Sequence, residues 1–303
     1  MVKIISQPNG GVSSARNKGI ENSIGEYILF MDPDDTVTED YIATLSRELA
    51  GRDCDYLLFG FWQIQEHANG MSEPLAVLPR REYAVASTED AVLQLLPNFI
   101  GRSLETITNW IQCGVFNPYE EFGSVWRCAY RREIMEHYRI RFRRDLFLIE
   151  DAMFNCDFIS HIRTGRTCMK PLYVYTIRGS GAMSRKRGNA LLTNTRALLN
   201  AREEICAEAR SRGYDQISDR WYTASTVFSV FSALKTVDCS CWKELNGFVQ
   251  HPAVRKAIRQ APISLRKPVY CVMILLLKLR LHWVLFLLYK ICGKLNIKFN
   301  LVN

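Results

Sequence analysis

The stretch Gly25-Glu26-Tyr27-Ile28-Leu29-Phe30-Met31-Asp32-Pro33-Asp34-Asp35 decides the fold class. Tyr27 to Met31 is an apolar run of strand length, and Gly25 punctuates the chain before it. The run ends in three carboxylates within four residues, which repel one another unless solvated or neutralised. Upstream, Val2–Ile5 is a short β-rich run and Gln7-Pro8-Asn9-Gly10-Gly11 has loop composition. Ser13 or Ser14 then caps a helix predicted to reach Ile24. Downstream, Thr38, Glu39 and Asp40 open a second helix toward Ala50, with acids in its first turn as the helix dipole prefers. Strand, helix, strand, acidic turn, helix is the rhythm of an α/β sheet with parallel strands. In open sheets of this kind ligands sit beyond the carboxyl ends of the strands, where Asp32–Asp35 fall.

Farther along, Tyr56–Gln65 and Ser72–Leu78 flank the turn-like His67-Ala68-Asn69-Gly70, a hairpin pattern. Helical patterns cover Thr88–Leu96, Leu104–Gln112 and Glu150–Ser160, Ser124–Tyr130 leads into a short helix ending at Tyr138, and Thr167–Ile177 is β-rich. From Asn189 the chain reads as helical nearly to its end, with breaks near Gly213, Asp238 and Pro262. The 303 residues, 48% of them hydrophobic, suffice for a real core, and 13 Tyr with 15 Phe exclude a disordered class. Ten scattered cysteines include no Cys-x-x-Cys pair and no Cys/His cluster, so no zinc site is expected. Most lie in apolar stretches as small hydrophobes, and with no signal peptide at the start a reducing, cytoplasmic location is favoured.

The acidic turn has two readings. The three carboxylates could hold a hard divalent cation, Mg2+ or Mn2+, against a diphosphate, since such ions take one or two carboxylates plus phosphate oxygens. They could instead be a solvated turn capping the next helix. A second acidic pair, Glu150-Asp151, lies between Leu146–Ile149 and Met153-Phe154; it is either a set of favourable first-turn charges or a site.

The ordered run Gln7-Pro8-Asn9-Gly10-Gly11-Val12-Ser13-Ser14-Ala15-Arg16-Asn17-Lys18-Gly19-Ile20, then Gly25-Glu26-Tyr27-Ile28, then Phe30-Met31-Asp32-Pro33-Asp34-Asp35 resembles the signature of family 2 glycosyltransferases. The resemblance implies an α/β fold, a partial GT-A (Rossmann-like) mixed sheet lacking its first strands and followed by a helical C-terminal extension. It implies inverting transfer of a sugar from a nucleoside diphosphate donor, UDP-linked, to a glycan or lipid-linked acceptor in cell-surface polysaccharide synthesis. Asn9, Gly10, Arg16, Asn17 and Asp32 would bind the donor, with Asp32, Asp34 and Asp35 at the metal. Arg16 has a purely structural alternative, bonding loop carbonyls. Glu150 and Asp151 match the pair that supplies a catalytic base in the family: Asp151 would deprotonate the acceptor hydroxyl and Glu150 would position the acceptor. Trp126, in the segment Ser124–Arg132, would stack on an acceptor sugar or belong to the core. Arg178, Ser180 and Ser184, after Tyr173-Val174-Tyr175, would close on the diphosphate or form a solvated basic loop. Family members open with further strands that would precede Met1; a truncated, non-catalytic module is the alternative this raises.

Residues 1–180 carry 19 Lys/Arg against 24 Asp/Glu, and residues 181–303 carry 20 against 7. The expected division is a transferase domain over 1–185 and a basic helical extension over 186–303. Nucleic acid is not the expected partner, because the basic residues near the end flank an aliphatic run rather than alternate with aromatics. From Arg266 onward seven Lys/Arg and no acid accompany apolar residues in two pieces, too interrupted for a plain span. That pattern suits one helix lying in an anionic membrane surface, at the cytoplasmic face, with a tilted span or a core-packing helix as the alternatives.

Overall fold

Tyr56-Leu57-Leu58-Phe59 is buried on both faces, and such a run needs strands on either side of it. In the computed structural model, which describes residues 2–51, 53–67, 70–114, 123–178, 189–214 and 216–294, this run begins the central strand. The first unit comprises Met1–Phe99, Glu121–Lys186 and Ala207–Gln216. Its strands are β1 (Tyr27–Leu29), β2 (Thr36–Val37), β3 (Tyr56–His67), β4 (Gly70–Met71), β5 (Leu75–Val77), β6 (Ala84–Val85), β7 (Cys128–Arg131) and β8 (Gly165–Ile177). The sheet runs β1-β7-β3-β8-β2, with β4 and β5 on β3 and β6 on β8. Among the described residues only β3 and β8 pair in parallel; the other pairs are antiparallel. The sheet is therefore mixed, where the strand-helix rhythm alone suggested a parallel one.

Two features position the later chemistry. The β3–β8 register shifts at Gly60, where a Cβ would come within 3.0 Å of Leu78, Val77 and Lys170 atoms, so only glycine lets the strands stay this close. One hydrophobic cluster packs Tyr41, Leu45 and Trp126 with Leu57 and Phe59 of β3 and Leu172 of β8. Elsewhere in the unit, Phe30 meets Tyr130, Phe142 and Phe154 edge-on, the preferred geometry for aromatic quadrupoles.

Helix α1 (Gly11–Asn22) starts earlier than the serines suggested, with Gly10 at its cap and Ser13 buried. Val2–Ile5 is not a strand; Val2 and Ile4 are exposed and find no ladder, and strand propensity without a pairing neighbour does not make a strand. β1 stands at the edge of the sheet, paired on one side by β7. A groove lined by Tyr27, Leu29, Ile42 and Leu49 runs beside it. Helix α2 (Tyr41–Leu49) follows β2. The predicted helix at 88–96 is α3 (Thr88–Asp90), a π-helical turn Ala91–Leu95 and α4 (Leu96–Phe99).

The second unit, Ile100–Glu120, Arg187–Cys206 and Ile217–Asn303, is helical. It holds α5 (Leu104–Cys113), while α6 (Arg132–His137) and α7 (Glu150–Ile159) belong to the first. Most of α8 (Ala190–Ser211) follows, then α9 (Thr223–Thr236), α10 (Trp242–Gln250), α11 (Pro252–Gln260), α12 (Pro268–Lys278) and α13 (His282–Lys294). Trp110, Phe231, Ile258, Tyr270 and Ile274 are buried there. Arg255 closes α12 by donating to the carbonyls of Leu277 (2.7 Å) and Lys278 (3.2 Å), satisfying groups a helix end leaves open. All ten cysteines are free.

Candidate functional site

β1 runs into the acidic turn, which Pro33 starts and Asp35 N–H closes onto the Asp32 carbonyl at 3.2 Å. One hydroxyl on β8 grips both ends of it. Tyr173 Oη accepts from Asp32 N–H (3.0 Å) and donates to Asp35 Oδ2 (2.9 Å), while Thr176 N–H donates to Asp35 Oδ1 (3.1 Å). Burial pushes the Asp35 carboxyl up, the Thr176 and Tyr173 bonds pull it down, and Asp34 and Asp32 push it up again, leaving it raised. Asp35 is thus the turn's anchor. Expected as a third metal ligand, it has both oxygens engaged inside the protein. Asp32 and Asp34 keep side chains 31% and 63% exposed, and these two fit a hard cation whose other ligands are phosphate oxygens. Among the described residues no three His, Cys, Asp or Glu side chains form a ready cage.

Arg16 joins the two acidic motifs. From the middle of α1 its Nη2 donates to Asp32 Oδ1 at 2.9 Å, its Nη1 donates to Asp151 Oδ1, and Glu150 Oε1 lies 3.8 Å away. The guanidinium is 11% exposed and lies 5.3 Å from the centre of the Phe142 ring. Burial works against its charge, but Asp151, Asp32 and Glu150 outweigh that and raise its pKa. The structural reading of Arg16 as a loop brace does not hold; its partners are the candidate site itself.

Asp151 is the perturbed group. Burial is the largest influence and raises it, Arg16 lowers it, Glu150 raises it, and the Val125 N–H bond (3.3 Å) lowers it; the carboxyl ends at about 6. A carboxylate held near neutrality is poised to exchange protons at working pH. It sits in the first turn of α7, entered through Ile149 in the left-handed region (φ 66°). That conformation is an outlier for a β-branched residue, and Ile149 is 47% exposed, so packing on its side chain does not explain it.

Two residues missed by the sequence reading support the site. Asn155 is fully buried. Its Nδ2 donates to the Gly123 (3.0 Å) and Asp151 (3.1 Å) carbonyls, and its Oδ1 accepts from Tyr56 and Tyr130 hydroxyls. The signal was a lone amide within Ala152-Met153-Phe154-Asn155-Cys156, since a polar group in an apolar run must find partners. Tyr173 was noted only as part of a strand.

Other expected residues lie elsewhere. Trp126 is 3% exposed, stacked on Tyr173 (4.5 Å, 15°) and Tyr175 (5.3 Å, 19°) with Phe61 edge-on at 4.8 Å. Its faces belong to the core, leaving none for a sugar; the segment touches the site through the Val125 N–H instead. Asn17 is also buried, its amide exchanging both bonds with the Phe142 backbone (2.8 and 2.7 Å), so it fastens α1 rather than facing a donor. Asn17→Ala would strand both Phe142 backbone groups and is expected to cost about 2–4 kcal/mol; urea unfolding with an unchanged midpoint would refute this. Asn9 and Gly10 form the exposed entry to α1, Asn9 Oδ1 accepting from Gly11 N–H at 3.1 Å. Arg178 directly follows β8, bonding Asp34 at 2.9 Å with Glu66 at 3.8 Å. Ser180 and Ser184 lie outside the described residues.

Residues 1–136 match the family model described as Glycosyl transferase family 2. The chain is 29% identical over 174 residues to the uncharacterized glycosyltransferase EpsJ of Bacillus subtilis, covering 57% of this chain and 44% of EpsJ. It spans about half the length of the curated relatives it matches. Among solved structures, TarS 1–349 of S. aureus superimposes with a TM-score of 0.53 at 14% identity, over 96% of this chain and 73% of that one. TarS 1–349 in complex with UDP-GlcNAc gives 0.51 at 14% identity, over 99% and 76%. The fold is that of GT-A-like glycosyltransferases, with a helical C-terminal region.

Proposed function

Because residues 1–136 match the model of glycosyl transferase family 2, we propose that the protein transfers a sugar from a UDP-linked donor to a hydroxyl of a glycan or lipid-linked acceptor, inverting the anomeric carbon. The observation that carries this reading is the Arg16 bridge, which draws the acidic turn and the Glu150-Asp151 pair into one cluster. Donor chemistry and proton abstraction need such adjacency. The UDP-GlcNAc held by the similarly folded TarS chain supports the donor class.

In this mechanism Asp32 and Asp34 would hold Mg2+ or Mn2+, which when bound offsets negative charge on the leaving diphosphate. Arg178, beside Asp34, supplies a guanidinium suited to phosphate oxygens. Asp151 takes the proton of the acceptor hydroxyl as that oxygen bonds to the anomeric carbon. The bond from that carbon to the diphosphate oxygen breaks, and its electron pair leaves with the UDP. One displacement with one base and no enzyme nucleophile inverts the centre. Glu150, paired with Arg16, orients the acceptor side. Cell-surface polysaccharide is the proposed destination of the sugar.

The test is UDP release from a panel of UDP-sugars with Mn2+ or Mg2+, alongside calorimetric titration of UDP. Slow hydrolysis of at least one donor, abolished by EDTA and restored by Mn2+, is the expected result. If no UDP-sugar is consumed and UDP gives no metal-dependent heat, the reading fails.

A further inference from the structure

The sequence reading expected one interfacial helix near the end of the chain; the structure has two helices there. α12 and α13 are separated by Leu279-Arg280-Leu281, where Arg280 takes the left-handed conformation (φ 63°). Each helix buries one stripe, Tyr270, Ile274 and Leu277 on the first, Leu285, Phe286 and Tyr289 on the second. The opposite stripes would ordinarily be polar. Here they are not. Val272 and Leu275 on α12, Leu279 in the connector, and Trp283, Leu287 and Ile291 on α13 are all exposed, Leu279 at 67%. Spacings of three, four and four along residues 272–283, then four and four to 291, keep each set on one helical face. Exposed apolar stripes of this extent mark interaction surfaces.

The charges around them choose the partner. From residue 245 to 303 there are ten Lys/Arg and no Asp or Glu. Arg280 is exposed in the connector between the two stripes. Arg259 lies close enough to act, with Arg280, on the buried Arg255, whose pKa burial lowers first and these neighbours lower further. Arg266 is exposed just before α12. A protein partner with an apolar patch would match the stripes alone. An anionic bilayer matches both features, taking the aliphatic side chains into its acyl boundary and the arginines at its headgroups. Trp283 belongs to the residue type that settles at that boundary. Among the described residues no helix is long and apolar enough to cross a membrane, so the contact is one of lying on the surface.

We propose that the exposed stripes of α12 and α13, with Arg259, Arg266 and Arg280, form a two-helix docking face for an anionic lipid surface. The proposal stands apart from the transfer reading, because it rests on residues of the helical unit alone.

The full chain is floated with vesicles of phosphatidylcholine, and of phosphatidylcholine mixed with phosphatidylglycerol. Partition onto the anionic vesicles is expected to be about tenfold greater or more, and to fall with added salt. The Leu279→Glu, Leu287→Glu double variant, changed only at exposed positions, is expected to lose about tenfold of that partition with an unchanged circular dichroism spectrum. Brominated anionic lipid is expected to quench tryptophan emission of the wild-type chain, and Trp283→Phe to remove that quenching; this second readout decides the matter if the double variant misfolds. Equal binding to both vesicles, no binding, or quenching that survives Trp283→Phe overturns the proposal. So does a solution dimer that the glutamates split without changing flotation, which would make a second copy the occupant.

Discussion

Asp151→Asn is expected to lower kcat by about 10²–10⁴-fold, the range over which a positioned base acts, with UDP binding unchanged. The wild-type rate should climb with pH through an acid limb near 6, where the carboxyl held up by burial gives up its proton. An amide cannot take that proton at any pH, so the limb should vanish along with the rate. Stability moves the other way. A carboxyl raised above its ordinary value holds its proton more tightly in the folded chain than in the unfolded one. The stabilisation this gives is complete below the ordinary carboxylate pKa and is lost as pH rises through about 6. The Asn variant, with no charge to bury, should therefore unfold in urea no earlier than wild type at pH 8. Full transfer activity in the variant would take the base assignment from Asp151.

Arg16→Ala is expected to produce a different signature. Arg16 is what pulls the Asp151 carboxyl down against its burial, and a cation at that distance moves a carboxylate by about 1–3 pKa units. Without it the acid limb should shift upward by about that much, and the rate at pH 7 should fall by about 10² or more. Arg16→Lys should recover only part, since a single ammonium cannot serve Asp32 and Asp151 with two separate edges. A variant with reduced rate but an unmoved limb would mean that Arg16 acts on the donor alone. Comparing the limb with the rate thus separates an effect on the base from a loss of phosphate contact.

What the sequence made legible was local. The turn after Tyr27–Met31 and the acidic pair before Met153-Phe154 each announce themselves within a few residues, because strand ends and helix starts have short-range signatures. Their juxtaposition did not. Arg16 and Asp151 are 135 residues apart, and long-range contacts such as Asn17 with the Phe142 backbone, Phe30 with Phe154 and the pairing of β1 with β7 bring their elements into one neighbourhood. The same limit misled the reading of Asn17 and left Trp126 open between a sugar contact and the core. Both residue types suit a ligand, and both are instead consumed by the core, Asn17 by a backbone 125 residues away and Trp126 by the tyrosines of β8. Strand direction was likewise hidden, since a crossover and a hairpin can follow the same local pattern. Val2–Ile5 shows the converse: propensity was legible, but a strand also needs a neighbour.

Ile149 carries a consequence of its own. A left-handed β-branched residue disfavours the fold by about 1–3 kcal/mol, and its carbonyl still accepts the Met153 N–H that starts α7. Relaxing the residue to the common right-handed basin, which is the helix's own, would keep that bond and instead turn the chain before Ile149 away from its present path relative to the turn bearing Glu150 and Asp151. The direction in which the helix enters is therefore coupled to a single backbone torsion, and the two carboxylates move together or not at all. Selection at this position acts on an angle rather than on a side chain, so glycine or asparagine is the substitution the fold would accept there, and valine or threonine would bring no relief.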